Sequence, residues 1–418
     1  MTTYEMSPTR GVGIKLARPV ELTCFALLVT NLVYIVVACV QNSWLTAPDS
    51  ATDFVTLWAA GRMALANHAA AAYDWPTLKL VEESILGHPL NGYLGWPYPP
   101  TVFFIVVPLS LLPYVNAFVL WVFCTFLAYL AAIRAIIGDR VGYLLAASFP
   151  AVLANFIVGQ NGLLSASLIG GILIFLERRP ISAGVLLGLL TFKPHLGFLF
   201  TIALLVSGRW RVLASAGVVA ALIAGASWAT FGGESWQAFL LSIGHALKIE
   251  GSADWGKLQS AFGLTRAFGG SEALAWNVQI VVTLMVVGAI AVLWRSRVSY
   301  ELKAAALGTG ALLATSHLLT YDLAILAVPL AFLFRLGCNG RFLAHELAGM
   351  GLACFLILVF SFVVAPVGFV AVLVVAALIV NRALAELRVL RSYQVRDRAC
   401  RPQDPNRRRV NGAPIDLC

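Results

Sequence analysis

The stretch Val20–Val40, VELTCFALLVTNLVYIVVACV, decides the fold. It has the length of about 20 apolar residues that a helix needs to cross a bilayer. Because a cleavable signal peptide has an apolar core of only about 7–15 residues, we expect a retained first span. Similar runs recur along the 418-residue chain, which is 60% hydrophobic and 12% charged. A soluble domain has about 25% charged residues, so the composition predicts an all-α polytopic membrane protein.

Basic residues gather in seven clusters between the apolar runs. The clusters are Arg10/Lys15/Arg18, Arg134/Arg140, Arg178/Arg179, Arg209/Arg211, Arg295/Arg297/Lys303, Arg335/Arg341 and the arginines from Arg382 to Arg409. Cytoplasmic loops carry such an excess, so each interval between clusters is expected to leave the membrane and return, which gives about 12 spans (11–13) with both termini cytoplasmic. These loop charges also explain the net charge of +9, and no nucleic-acid partner is expected.

The topology predicts three regions. Residues 1–19 form a cytoplasmic segment, residues 20–381 form the membrane domain, and residues 382–418 form a basic cytoplasmic tail. The membrane domain carries long external loops at about 41–100 and 232–275. Within it, Thr101–Leu112 offers only about 12 helical residues, which rise ~18 Å against a core of ~30 Å. We interpret that segment as re-entrant or interfacial. The short apolar runs that follow predict a cavity open to the external face.

Asp53 opens a stretch in the first external loop that has the pattern of an interfacial amphipathic helix. Phe54, Leu57 and Trp58 supply its apolar side, and Thr52 is a possible cap. One interpretation makes Asp53 an ionised acid within reach of lipid headgroups. The other makes it a residue that only stabilises the helix N-terminus. The pattern leaves both open.

Further polar landmarks fall at the same membrane face. Gln160 and Asn161 occupy a turn, where they can bind sugar hydroxyls or simply form the turn. Lys193, beside His195, is embedded between apolar runs and needs a partner, which a lipid phosphate would supply. The alternatives are an internal ion pair or a side chain that snorkels to the surface. His317 lies at another external fold, near Tyr321 and Asp322. A histidine there can donate to a phosphate oxygen.

Taken in order, these residues resemble glycosyltransferase family 87 of the GT-C superfamily. The matching pieces are Asp53-Phe54, Trp58-Ala59-Ala60-Gly61-Arg62, Tyr73-Asp74, Tyr98-Pro99-Pro100, Pro108-Leu109, Leu112-Pro113, Gly159-Gln160-Asn161, Lys193-Pro194-His195, Gln259-Ser260, and His317 with Tyr321. They extend from about residue 50 to about residue 322. The family includes mycobacterial α-mannosyltransferases that act on phosphatidylinositol mannosides.

The resemblance implies a GT-C-type fold with juxtamembrane helices in the first external loop. It also implies a polyprenyl-phosphate sugar donor, a lipid or glycan acceptor, and no metal or other cofactor. Asp53 maps onto the acidic residue expected to act as the catalytic base, and His195 stands where a glutamine is common in the family. The candidates for binding the donor phosphate are Lys193, His317, Arg62 and Arg266, and those for binding substrate are Tyr98, Gln160, Asn161, His195, Gln259, Tyr321 and Asp322.

The predicted function is therefore transfer of a hexose, with mannose expected, to a hydroxyl group at the external face of a bacterial inner membrane. A transporter or flippase of a lipid-linked saccharide is the competing class, although it favours internal inverted repeats that the chain lacks. An O-antigen ligase-like transferase is the second alternative. It would be expected to carry more arginines in its large loop than the single Arg266.

Overall fold

The computed structural model describes residues 18–41, 53–90, 92–249, 255–360, 363 and 365–399, and these residues form helices and no strand. The α-helices are α1 Arg18–Gln41, α2 Phe54–Leu65, α3 Trp75–Leu86, α4 Phe103–Ser110, α5 Tyr114–Ile137, α6 Val141–Ala147, α7 Ala151–Val158, α8 Gly162–Phe175, α9 Pro180–Leu189, α10 Pro194–Val206, α11 Trp210–Phe231, α12 Gly233–Ile249, α13 Ala261–Ala267, α14 Glu272–Arg295, α15 Tyr300–Leu313, α16 Ala327–Asn339, α17 Glu346–Phe360 and α18 Val367–Ala399. Short 3₁₀ helices precede α10 and α16, at Leu190–Phe192 and Thr320–Leu326.

Six helical segments of the described chain are long and apolar enough to cross a membrane. They lie in α1, α5, α11, α14, α18 and the continuous segment Thr320–Asn339. A seventh arises if α6 and α7, which meet at a 60° bend, count as one broken span. The other apolar helices have 10–17 residues, so the predicted count of about twelve spans is not confirmed. That count assigned two full crossings to each interval between basic clusters, whereas glycine and proline end several of the helices early.

The helical bundle has two chemically different ends. At the first residues of α5, the ring of Tyr114 lies 5.6 Å from that of Phe54, in α2. At the other end of α5, the carbonyl of Ile136 accepts a hydrogen bond from Arg335 at 2.8 Å. We call the end that contains Phe54 the site end and the end that contains Arg335 the basic end.

Arginines at the basic end are paired rather than simply solvated. Arg209 contacts Glu177 at 2.7 Å, and the buried Arg382 contacts Glu346 at 3.0 Å. Arg382 also donates to the carbonyl of Arg341 at 2.9 Å, which fastens α18 to the start of α17. The boundary expected at residues 381/382 falls inside α18, and Arg382 belongs to the packed part of that helix.

The first loop contributes α2, α3 and α4, which pack together at the site end. Gly61 lets α2 and α4 approach closely, because a Cβ there would lie 2.0 Å from Ser110 Oγ and 2.5 Å from the carbonyl of Val106. Ser110 in turn donates to the carbonyl of Trp58 at 3.0 Å. The α4 helix has eight residues, about 12 Å, so the segment predicted to be re-entrant or interfacial does not reach across a bilayer.

The centre of the bundle is α15, whose residues from Ala304 to Leu313 are all buried. It is rich in alanine and glycine, and it is surrounded by α10, α14, α16 and α18. Lipid tails offer helices little hydrophobic reason to associate, so small residues that allow close backbone contact are what such a centre requires. The helices around α15 thereby hold the loops of the site end in fixed positions.

Candidate active site

Three breaks between helices meet at the site end. The turn at Gly159–Asn161 separates α7 from α8, Lys193 separates a 3₁₀ turn from α10, and the stretch Ala314–Leu319 follows α15. Asn155, in the last part of α7, donates to the carbonyl of Tyr321 at 3.0 Å. The landmarks that the sequence placed at one membrane face are therefore close together in the fold.

Gly162 is the point of closest approach between two of these breaks. A Cβ at this position would lie 2.0 Å from the carbonyl oxygen of Tyr321 and 2.6 Å from Asn155 Oδ1. Both atoms belong to groups that are already hydrogen-bonded, so neither can move without losing a contact. Only glycine fits here.

We expect Gly162→Ala to destabilise the protein by roughly 1–3 kcal/mol and to lower transfer activity, because overpacking displaces the site's backbone. Thermal unfolding in detergent or lipid measures the first effect. Gly217→Ala is the matched control, since a Cβ at Gly217, in α11, meets nothing within 4 Å. Equal melting temperatures for the two variants would contradict the prediction.

Asp53 ends a chain of hydrogen bonds that runs through three other predicted site residues. Asn161 Nδ2 donates to Tyr98 Oη at 2.6 Å, and Tyr98 Oη donates to Gln160 Oε1 at 3.1 Å. Gln160 Nε2 then donates to Asp53 Oδ2 at 3.2 Å. Because every link is directed the same way, the chain orients the Gln160 amide so that its NH₂ group faces the carboxylate. Asn161 Oδ1 is buried and has no partner within the described structure.

The carboxylate of Asp53 does not cap its own helix. Asp53 precedes α2, yet its side chain accepts no hydrogen bond from the first turn of that helix. The interpretation in which Asp53 only stabilises a helix N-terminus therefore lacks its expected contact, while Thr52 lies outside the described residues. Burial raises the pKa of Asp53, and the hydrogen bond from Gln160 and the charge of Lys257 oppose that rise.

The raised pKa predicts the pH dependence of any reaction in which Asp53 accepts a proton. The base is present only above its pKa, so activity should fall with decreasing pH earlier than for an ordinary aspartate. Gln160→Leu removes a bond that favours the charged form, so the acid limb of kcat/KM should move to higher pH. Gln237→Leu, on the exposed side of α12, is the control. An unmoved acid limb in Gln160→Leu would be inconsistent with Asp53 as the base.

A cavity of about 290 Å³ lies beside this hydrogen-bond chain. Its polar wall consists of Tyr98, Lys193, His195, Ser242, Thr315, Ser316, His317, Tyr321 and Asp322. Tyr98 belongs both to the cavity wall and to the chain that leads to Asp53. The structure thus links the Asp53 carboxylate to the cavity that holds the basic side chains through the Gln160 amide and the Tyr98 phenol.

Lys193 is paired inside the protein. Its ammonium contacts Asp322 Oδ1 at 2.5 Å, the two side chains are 6% and 4% exposed, and the ammonium lies 5.0 Å from the centre of the Tyr321 ring. Of the two partners considered from the sequence, the structure contains the carboxylate. An ammonium has three N–H donors, so Lys193 can keep this bond and still direct another donor into the cavity. Its role in phosphate binding remains a prediction.

His317 is held by its neighbours on several sides. Its Nδ1 lies 2.8 Å from Ser316 Oγ, and its ring centre lies 6.3 Å from those of Phe262 and Trp276. Burial lowers the pKa of His317, so its imidazole is neutral at neutral pH. A neutral ring that accepts from Ser316 through Nδ1 carries its proton on Nε2, where it can donate.

Three predicted residues lie neither on the cavity wall nor in the hydrogen-bond chain that ends at Asp53. Arg62 is exposed, and its guanidinium lies 5.5 Å from the ring of Trp58. Arg266 lies over the ring of Trp255 at 4.4 Å and donates to the carbonyl of Gly270. Gln259 is fully buried. Its amide bonds the backbone of Gly256 and Gly368, both at 2.7 Å, so its observed role is to fasten this segment to α18.

The sequence interpretation missed a second acid beside Asp53. Glu82 is 1% exposed in α3, and its Oε1 accepts a hydrogen bond from Thr56 at 2.7 Å. A signal was present, because Trp75, Leu78, Glu82 and Leu86 have the spacing of one buried helix face. An acid on such a face is an exception to the amphipathic pattern.

The fold and the site together define a multi-pass helical membrane protein in which the Asp53 carboxylate is joined through Gln160 and Tyr98 to a polar cavity at one end of the bundle. The chain belongs to glycosyltransferase family 87, whose model matches residues 96–320, more than half of the sequence. It is thus a membrane glycosyltransferase of the GT-C superfamily, as the resemblance predicted. No curated protein and no solved structure matches the chain. The matched residues include Tyr98, Gln160, Lys193 and His317, whereas Asp53 precedes them.

Proposed function

We propose that the protein transfers a hexose, with mannose as the expected sugar, from a polyprenyl-phosphate donor to a hydroxyl of a lipid or glycan acceptor. In this proposal the site end faces the exterior of a bacterial inner membrane and the basic end faces the cytoplasm. The paired arginines at the basic end support this orientation, since cytoplasmic segments carry the excess of positive charge.

The observation that carries the proposal is the state of Asp53. Its carboxylate does not cap its own helix and is held by Gln160, which in turn accepts a hydrogen bond from Tyr98 on the cavity wall. A carboxylate that is oriented and has a raised pKa is suited to accept a proton near neutral pH. The acceptor hydroxyl gives its proton to Asp53 while its oxygen attacks C1 of the sugar. The bond from C1 to the phosphate oxygen breaks, and the attack inverts the configuration at C1.

The departing polyprenyl phosphate gains negative charge, which the cavity can stabilise without a nucleotide-binding loop. Lys193 offers N–H donors beyond the one bonded to Asp322, and His317 can donate through Nε2 in the tautomer in which Nδ1 accepts from Ser316. Donors that are already in place where charge develops stabilise the transition state more than the ground state. Tyr98 lines the cavity and is placed to contact a sugar hydroxyl, and Asn161, which donates to Tyr98, holds that phenol in position.

The donor class can be tested with purified protein in lipid vesicles. Labelled polyprenyl-phosphate mannose and labelled GDP-mannose are supplied separately, with a lipid extract of the host as acceptor. We expect label to move from the polyprenyl donor alone. Transfer from GDP-mannose alone would show that the donor assignment is wrong. If neither donor reacts, other polyprenyl-linked sugars come next, followed by a flux assay for the transporter alternative.

A further inference from the structure

Glu82 occupies a buried position where its carboxyl group has few polar contacts. It lies on the buried face of α3 and is 1% exposed. Within the described part of the chain, its one side-chain hydrogen bond is the one from the Thr56 hydroxyl. Burying an acid with a single neutral partner costs free energy that a leucine at this position would not cost. The contact that Glu82 makes is therefore better explained by a role other than stability.

The hydrogen-bond partner of Glu82 is Thr56, which lies in the first turn of α2, next to Asp53. Thr56 is 4% exposed, and its backbone N–H donates to the carbonyl of Asp53 at 3.3 Å. Thr56 is three residues beyond Asp53, so its backbone N–H is one that normally donates to the side chain of an N-capping residue. The Thr56 hydroxyl binds Glu82 instead, and the Asp53 carboxylate binds Gln160.

We propose that Glu82 is a positioning residue for the catalytic base. By holding the Thr56 side chain against α3, it fixes the first turn of α2 so that the Asp53 carboxylate is presented to Gln160 rather than capping its own helix. This inference rests on the proposed function of Asp53. Without Glu82, the first turn is free to rotate and the carboxylate can swing back onto the helix N-terminus, where the exposed N–H groups and the helix dipole stabilise it.

The charged groups that act on the two acids are few in the described structure. Lys257, from the segment that follows α12, acts on Asp53 and favours its ionised form. Asp53, Glu83 and Lys79 act on Glu82, and the last two pair with each other at 3.7 Å. Burial is the main cause that raises the pKa of Glu82. The charge of Asp53 raises the pKa of Glu82 further, so the two carboxyl groups affect each other's ionisation.

The decisive experiment measures the protonation of Asp53 without relying on transfer. Wild type, Glu82→Leu, Thr56→Val and Glu82→Gln are treated with a carbodiimide, which reacts with protonated carboxyls, across a pH series. Labelling of Asp53 is then quantified by peptide mass spectrometry. In Glu82→Leu and Thr56→Val we expect the midpoint of labelling to fall by about one pH unit or more, because a carboxylate that accepts backbone N–H bonds has a lower pKa. Glu82→Gln keeps the acceptor for Thr56 and should keep the wild-type midpoint.

Activity and stability supply independent readouts on the same variants. Glu82→Leu should melt at the wild-type temperature or above it, while its kcat falls about tenfold at nearly unchanged KM. Glu82→Gln should retain most of the wild-type kcat.

An unshifted labelling midpoint in both Glu82→Leu and Thr56→Val would overturn the proposal, as would a Glu82→Gln variant as impaired as Glu82→Leu. If Glu82→Leu fails to fold, the isosteric Thr56→Val decides. If the wild type transfers no sugar, the proposed function fails while the labelling result still stands.

Discussion

Asp53→Asn should lower the rate of sugar transfer by roughly 10²–10⁴-fold, the usual contribution of a general base. An amide cannot accept the proton of the acceptor hydroxyl, yet it has nearly the shape of the carboxylate and can still bond Gln160. Donor binding should therefore remain close to wild type. Turnover with labelled polyprenyl-phosphate sugar gives the first quantity, and protection of the purified protein by the donor against thermal unfolding gives the second.

A matched control for this variant lies in the same loop. Asp74 is an exposed carboxylate that accepts a hydrogen bond from Thr77, and it lies just before α3. Asp74→Asn removes the same charge from the same segment, so it should leave turnover near the wild-type value. Near-normal turnover of Asp53→Asn would show that Asp53 is not the base. Equal losses in the two variants would assign the effect to the loop's overall charge instead.

Lys193→Met should destabilise the protein by about 3–5 kcal/mol, because it leaves Asp322 buried without its counter-ion. It should also weaken both donor binding and turnover if the ammonium contacts the phosphate. Thermal unfolding and donor titration separate the two effects. Loss of stability alone, with normal donor binding in the folded fraction, would restrict Lys193 to its structural pairing.

The double variant Lys193→Met/Asp322→Leu distinguishes these roles further. Replacing both members of a buried pair with apolar residues of similar size is often neutral or stabilising, so the melting temperature should recover. Transfer should stay low, since no ammonium then faces the cavity. Recovery of both stability and transfer would show that the pair serves the fold and that other groups hold the phosphate.

Much of the site was predictable because its signals are local in the chain. Gln160 and Asn161 lie in a turn marked by Gly159 and Gly162, and Lys193 interrupts an apolar run. An ionisable residue or a turn between apolar segments can be recognised from its immediate neighbours. The family resemblance, now confirmed, depended on the same local pieces.

The sequence by itself determined the class of the protein and its all-helical membrane character. Those properties depend on composition and on the lengths of apolar runs. Only the tertiary structure decided what each polar side chain contacts. Lys193 meets Asp322 from 129 residues away, and Asp53 meets Gln160 from 107 residues away. Both contacts depend on how short and broken helices pack around α15. That packing joins segments that are far apart in the chain, so it cannot be predicted from any short stretch of sequence. For the same reason, the number of spans and the contact of Glu82 with Thr56 could not be predicted from the sequence.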